Sequence, residues 1–324
     1  MARTAMRARA RRLLALPVMG SLASGLRVAR FRGYRLARNV RYRHFGAARP
    51  GPDDHVADLE RDGVTVLPGW VDADALDAVH DELLARLEFE TGLEPAWLDA
   101  RAIGGIDAPR DFVSAADLAR GPAHYRGLTN GVSVAEPLWH CPSIRRIVLD
   151  EHNLELATRY LVSPAAVGGV DLRVSFVNSL EPAGDLFFFH SDPNSPRMLK
   201  FFYFLYDVTT SADGPFRYVL GSHRESFPGR MGRYLWTQEE MEARYGADRV
   251  IEVTARRGDV VVADPSGLHT GGKPHARDRE LLVVNYVCHP EFGGRHPWLR
   301  IPASVLEGAS PAQRHAADYL RVVD

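Results

Sequence analysis

The sequence predicts a mainly β protein with flanking helices, built on a double-stranded β-helix of the jelly-roll or cupin-like kind. Three observations carry this. After Pro164 the chain breaks into short apolar runs separated by Gly/Pro turns, the pattern of a sandwich or barrel. One run, Leu199 to Tyr206, is nearly all apolar and aromatic, as in a strand buried on both faces. His190, Asp192 and His269 follow two such runs, and a jelly roll brings distant strands to one mouth.

Residues 1–52 carry thirteen Arg and no Asp or Glu, leaving 27 Lys+Arg against 41 Asp+Glu in the rest. The near-zero net charge therefore joins a basic arm to an acidic body. Within the arm, Leu13 to Leu26 is uncharged but too short to span a bilayer, and Pro17 interrupts any helix there. The arginines from Arg27 to Arg43 spread around a helical wheel, against an amphipathic membrane helix. The arm is expected to be flexible, with weak contact to an anionic surface, at the periphery of a membrane, as its second reading. No nucleic-acid module accompanies it, so no nucleic-acid partner is expected. Cys141 and Cys288 match neither a disulfide framework nor a zinc motif, and read as buried thiols in a reducing cytoplasm.

A linker at Ala47–Pro52 leads into one domain over 53–324. A helical part covers 53–163, the jelly-roll core 164–290 and a C-terminal extension 291–324. Residues 54–62 read as a short helix and Val64–Leu67 as a strand. Asp72 or Asp74 is placed to cap a helix whose apolar positions are Leu76, Val79, Leu83, Leu84 and Leu87. Helical pattern fades over 91–131 and returns from Ser143 to Leu161. Strands are expected at Val170–Val177, Leu186–His190, Leu199–Val208, Phe216–Val219, Val250–Thr254, Asp259–Ala263 and Leu281–Val287. A polar helical insertion interrupts them at 229–248. Both irregular stretches, 91–131 and 229–248, are candidate specificity elements.

The chemistry starts at His190-Ser191-Asp192. Strand residues two apart point the same way, so His190 and Asp192 can share a metal. Two histidines and a carboxylate form the facial triad of non-haem Fe(II) oxygenases, which leaves sites open for substrate and O2. The third ligand is expected at His269, which follows an apolar strand and heads Thr270-Gly271-Gly272. His223 is its main rival, with His275, His289 and His296 weaker. Such a site needs two further electrons, which oxidative decarboxylation of a 2-oxo acid supplies. Its distal carboxylate calls for a fixed arginine. Arg279, opening the strand Leu281–Val287, is preferred to Arg277. Thr270 can add a hydroxyl contact. Lys200 either snorkels to solvent or meets an anionic co-substrate or substrate. Most of Phe187, Phe188 and Phe189 are expected in the core.

Over residues 54–290 the chain resembles the phytanoyl-CoA hydroxylase family of Fe(II)/2-oxoglutarate-dependent dioxygenases. The matching segments are Arg61–Gly69, Phe189-His190-Ser191-Asp192, Leu199–Val208 with Gly214-Pro215-Phe216 and Gly221-Ser222-His223, then Gly258-Asp259-Val260 with His269-Thr270-Gly271, and Arg279. Leu220 and Ala263 depart from the family pattern, with consequences for packing. The resemblance implies Fe(II) on His190, Asp192 and His269, 2-oxoglutarate on iron and Arg279, and O2 as oxidant. It implies hydroxylation of an aliphatic C–H of a small molecule, with release of succinate and CO2. Because Asp192 is present, it implies hydroxylation rather than halogenation. Gly221-Ser222-His223 reads as a structural turn. The other classes weighed are a cupin-like metalloenzyme without 2-oxoglutarate and a non-catalytic surface-binding protein on the same fold.

Overall fold

The computed structural model describes residues 54–87, 98–99, 127, 130–134, 136–180, 182, 187–192, 197–225, 235–288 and 299–324. The basic arm 1–52, most of 91–131, residues 226–234, His289 and His296 lie outside the described residues.

A helix α1 (Asp54–Asp62) enters strand β1 (Val64–Leu67), then α2 (Ala73–Leu87), as the sequence predicts. The Asp72 carbonyl accepts from Ala75 and Leu76 at the start of α2, and Leu76, Val79 and Leu83 are buried. After β2 (Leu98–Asp99) and β3 (Gly131–Val134) come α3 (Pro137–His140), α4 (Pro142–Val148) and α5 (Glu151–Leu161). The helical stretch expected over Ser143–Leu161 is therefore two helices. Asp150 divides them because its carboxylate accepts from His152 N and Asn153 N, capping a new helix.

The remaining strands are β4 (Ala165–Ser175), β5 (Met198–Phe204), β6 (Phe216–Val219), β7 (Val250–Val253), β8 (Val260–Ala263), β9 (His269–Gly271) and β10 (Arg279–Cys288). Between β6 and β7 lies α6 (Gln238–Tyr245), where the sequence suggests a helical insertion, opened by a Thr237/Glu240 capping box. The C-terminal part adds β11 (Arg300–Pro302), α7 (Pro311–Ala316) and β12 (Arg321–Val323), with β11 and β12 paired in parallel.

Two antiparallel sheets result. The larger has the order β1-β8-β5-β10-β4-β3-β2 and the smaller β7-β6-β9. In β5, Phe202 and Phe204 join Phe216 and Tyr218 of β6, Val261 of β8 and Leu281 and Val283 of β10 in one core between the sheets. Each such side chain contributes roughly 1.5–3 kcal/mol by leaving water. The alternate residues Phe201 and Tyr203 are equally buried on the opposite face, and α5 packs against β4, β5 and β10. That is why the Leu199–Tyr206 run is apolar on both faces. No helix among the described residues is long and apolar enough to cross a membrane. Cys141 and Cys288 are free and buried.

One expected strand does not form. Of Leu186–His190, Phe187 and Phe188 lie in turn and bend, and Phe189 and His190 make only single bridges, to Trp236 and His269. Phe189 instead packs with Val219, Met241 and Leu268, so its apolar character serves a small satellite core. Phe187 and Phe188 are half-buried rather than core.

Candidate metal centre and its cavity

His190 and His269, 79 positions apart, meet as an antiparallel bridge: His190 N donates to His269 O at 3.0 Å and His269 N to His190 O at 2.9 Å. Asp192 N donates to Pro265 O at 2.8 Å, which turns its carboxylate toward the two rings. Candidate ligand atoms of His190, Asp192 and His269 all lie within 4.8 Å of one another. Each histidine directs Nδ1 at a carbonyl two residues earlier, Phe188 O at 3.0 Å and Gly267 O at 2.9 Å. A carbonyl only accepts, so Nδ1 carries the proton and Nε2 offers its lone pair. A metal-bound histidine ordinarily has its other ring nitrogen held by a carbonyl or carboxylate in this way, which fixes the ring's orientation. His223 stands apart, its Nε2 3.2 Å from Glu60 O. His275 is exposed.

The electrostatics fit a cation. Burial and the neighbouring His190 push the His269 imidazole down to about 3, against the pull of Asp192, so it is neutral. Burial opposes ionisation of Asp192, yet Lys200 above all holds its carboxyl well below the usual carboxylate range. Lys200 Nζ donates to Asp192 Oδ2. Lys200 therefore does not snorkel to water; it is tied to the triad carboxylate.

The segment 264–268 holds both ends of the centre. Tyr160 OH donates to Asp264 Oδ2 at 2.6 Å, Ser266 N donates to Asp264 Oδ1 at 2.9 Å, and Tyr218 OH donates to Asp264 O at 2.8 Å. Burial, then the Asp264 carboxylate, push the Tyr160 hydroxyl far up, so it remains a donor. Leu268 N donates to Ser222 Oγ at 2.8 Å. That bond gives Gly221-Ser222-His223 a structural part, with Gly221 at φ 73°.

Arg279 is 1 % exposed, and its guanidinium donates to Gly214 O, to Gly272 O at 2.7 Å and to Ser175 Oγ at 3.2 Å. Its Nε has no partner, and no carboxylate among the described residues pairs with it. Burial and then the nearby Arg173 push it down to about 9, the signature of a cation short of counter-charge. Arg277 is exposed and lies over the Tyr206 ring, 3.1 Å from its centroid. Thr270 is buried between the cavity-lining His269 and Gly271, and strand alternation turns it to the other face.

Triad, Lys200 and Arg279 line one cavity of about 190 Å³ with Phe202, Phe204, Phe216, Gly271, Leu281, Asp171 and Arg173. Asp171 and Arg173 were not anticipated. The alternation Asp171-Leu172-Arg173-Val174-Ser175 is visible in the sequence, but charged residues on a half-apolar strand ordinarily read as a solvent face. Here that face looks into the gap between the sheets.

A family model described as phytanoyl-CoA dioxygenase matches residues 59–279. Among curated proteins, none matches the chain. Solved structures similar to it include EctD from S. alaskensis in its apoform, 19 % identical over 78 % of this chain and 84 % of that one, TM-score 0.51. The non-heme alpha-ketoglutarate-dependent carbocyclase SnoK from nogalamycin biosynthesis is 17 % identical over 75 % and 86 %, TM-score 0.51. HygX from Streptomyces hygroscopicus, with nickel, 2-oxoglutarate and hygromycin B bound, is 16 % identical over 74 % and 88 %, TM-score 0.50. At such identities these likenesses show a shared fold. With the family model spanning most of the chain, this protein belongs to the phytanoyl-CoA dioxygenase family, a family of 2-oxoglutarate-dependent non-haem iron oxygenases.

Proposed function

We propose that the protein hydroxylates an aliphatic C–H of a small molecule, with His190, Asp192 and His269 holding Fe(II) and Arg279 anchoring 2-oxoglutarate. The observation that carries this reading is the joint presence, in one cavity, of three convergent ligand groups and a buried arginine without an acidic partner. The donor set suits the metal: two imidazoles and one ionised carboxylate on one side, with the other side open to the cavity. Arg279 suits a carboxylate, because its unpaired Nε and its lack of counter-charge would both be relieved by one. Bound there, iron and 2-oxoglutarate supply the oxidising power, with succinate and CO2 as the co-substrate's products.

The chain's own residues do the rest. Phe202, Phe204, Phe216 and Leu281 wall the cavity with apolar surface and keep water from the reacting C–H. Lys200 keeps Asp192 ionised and adds a second cation for an anionic co-substrate to meet. Asp192 fills the position that a halogenase leaves for halide, which supports hydroxylation.

The test is anaerobic addition of Fe(II) and 2-oxoglutarate, followed by succinate measurement in air. A visible charge-transfer band and slow succinate release are expected. A wild-type protein that shows neither would overturn the proposal, and succinate-independent metal chemistry that survives Arg279→Ala would point to a cupin-like enzyme.

A further inference from the structure

Beyond the triad, Lys200 and Arg279, the cavity wall carries one more pair of charged groups, Asp171 and Arg173 on β4. They are neighbours on one strand face, with Arg173 Nε 3.2 Å from Asp171 Oδ2. That approach is too poorly aligned for a hydrogen bond, and Arg173 Nε is a buried donor without an acceptor. Their side chains are 13 % and 28 % exposed, so neither is a freely solvated surface charge.

The sheet register extends this polar patch sideways. Ser133 of β3 pairs with Arg173, and cross-strand partners share a face. On β10, Val283 pairs with Asp171 and Asn285 with Gly169, so Asn285 is on the same face one step nearer Lys200. Ser133 Oγ and Asn285 Oδ1 are both buried without a hydrogen-bond partner. Buried polar atoms in a native fold are satisfied in the great majority, so three orphans on one face mark a place where a ligand supplies the partners.

The charges say what kind of ligand. Three cations, Arg173, Lys200 and Arg279, face two anions, Asp171 and Asp192, on the described wall. A divalent metal and a dianionic co-substrate cancel each other, which leaves one positive charge. At about 190 Å³ the cavity is smaller than the roughly 300–1,000 Å³ of ordinary ligand pockets, so it takes the co-substrate and only the reacting end of a substrate.

We propose that this β4 patch is the substrate subsite and that the substrate is a small molecule carrying a carboxylate, which Arg173 binds. Asp171 and Asn285 then accept from N–H or O–H groups of the same molecule, and Ser133 serves the carboxylate beside Arg173. The proposal rests on the oxygenase reading above.

The test uses the full-length protein loaded with Co(II) and 2-oxoglutarate, titrated calorimetrically with aliphatic amino acids and hydroxy acids, each beside its primary amide. The acid of at least one pair is expected to bind about tenfold or more tightly than its amide, as hydrogen bonds to charged groups warrant. Arg173→Gln is expected to erase that preference. Asp171→Asn, which removes the competing anion without altering size, is expected to strengthen acid binding and weaken binding of amine-bearing amides. Equal binding of acids and amides throughout, or no binding of any acid, would overturn the proposal. So would a tenfold loss of 2-oxoglutarate affinity in Arg173→Gln, which would make Arg173 a second co-substrate anchor. Absence of the Fe(II)/2-oxoglutarate band in wild type is a separate result and removes the oxygenase reading itself.

Discussion

His190 and His269 are partners twice over: their backbones exchange both hydrogen bonds of an antiparallel bridge, and their rings sit 4.3 Å apart between centroids. Backbone pairing places the rings; the side chains only complete the site. Replacing either ring with Ala therefore leaves the bridge in place. Losing a group that merely orients a ligand already costs about 10–100-fold in metal affinity, so His190→Ala and His269→Ala are each expected to exceed that while the far-ultraviolet circular dichroism stays that of wild type. Retained Co(II) affinity in either variant would remove that histidine from the ligand set.

The Tyr160–Asp264 contact tests whether segment 264–268 is held as a unit. Tyr160→Phe leaves Asp264 Oδ2 buried without its donor, a loss of roughly 1–3 kcal/mol. Pro265 and Gly267 carry the carbonyls that orient Asp192 and His269, so metal affinity is expected to fall about tenfold as well. Urea melts and Co(II) titrations read the two effects separately. A drop in stability without a drop in affinity would confine Tyr160 to packing.

Gly267 makes the same point through space. A Cβ there would stand 1.9 Å from Tyr218 OH and 2.4 Å from its Cζ, and Tyr218 is wholly buried. Gly267→Ala must move the ring that holds Asp264 O, and should destabilise by more than about 2 kcal/mol, the scale of overpacked cores. A thermal melt within a degree or two of wild type would contradict the crowding.

Stability of the metal-free protein should fall with acid. His269 titrates near 6.5 when unfolded and is pushed down to about 3 when folded. Between those values the unfolded chain binds the extra proton, so stability is full above about pH 6.5 and is lost as pH drops. The slope for one proton is about 1.4 kcal/mol per pH unit. Asp192, also depressed in the fold, adds to the loss below its unfolded value of 3.8. Urea titrations from pH 7.5 to 4.5 should show the slope, and His269→Gln should flatten it.

Arg279→Lys is not conservative here. The guanidinium spans Gly214, Gly272 and Ser175 while one nitrogen is left for a ligand, and an ammonium cannot make that fork. The expected result is a rise in the 2-oxoglutarate KM of about 10-fold or more, read from succinate formation, with Fe(II) affinity kept.

The triad was legible because each member follows an apolar run, and Arg279 because it opens one. What misled at the triad was the run itself: Phe187-Phe188-Phe189 looks like a strand, but only tertiary contact with Trp236 and Met241 shows that Phe189 feeds a satellite core. β3, Gly131–Val134, is too short to announce itself. Asp171 and Arg173 were hidden by their own alternation, since sequence cannot say which face of a strand meets water and which meets a cavity. Lys200 was ambiguous for the same reason, and its contact with Asp192 appears only when β5 is laid beside the triad.

β10 is nearly the last strand in sequence, yet it sits in the middle of the large sheet, between β5 and β4. A nascent chain that has released residues 1–278 already owns all three candidate ligands and most of the cavity wall, but lacks Arg279 and Leu281. The contacts of Arg279 and Leu281 wait for Arg279–Cys288 to insert between two strands made long before, a long-range closure that is slow by nature. The apolar edges of β4 and β5 stand open to other chains until that moment.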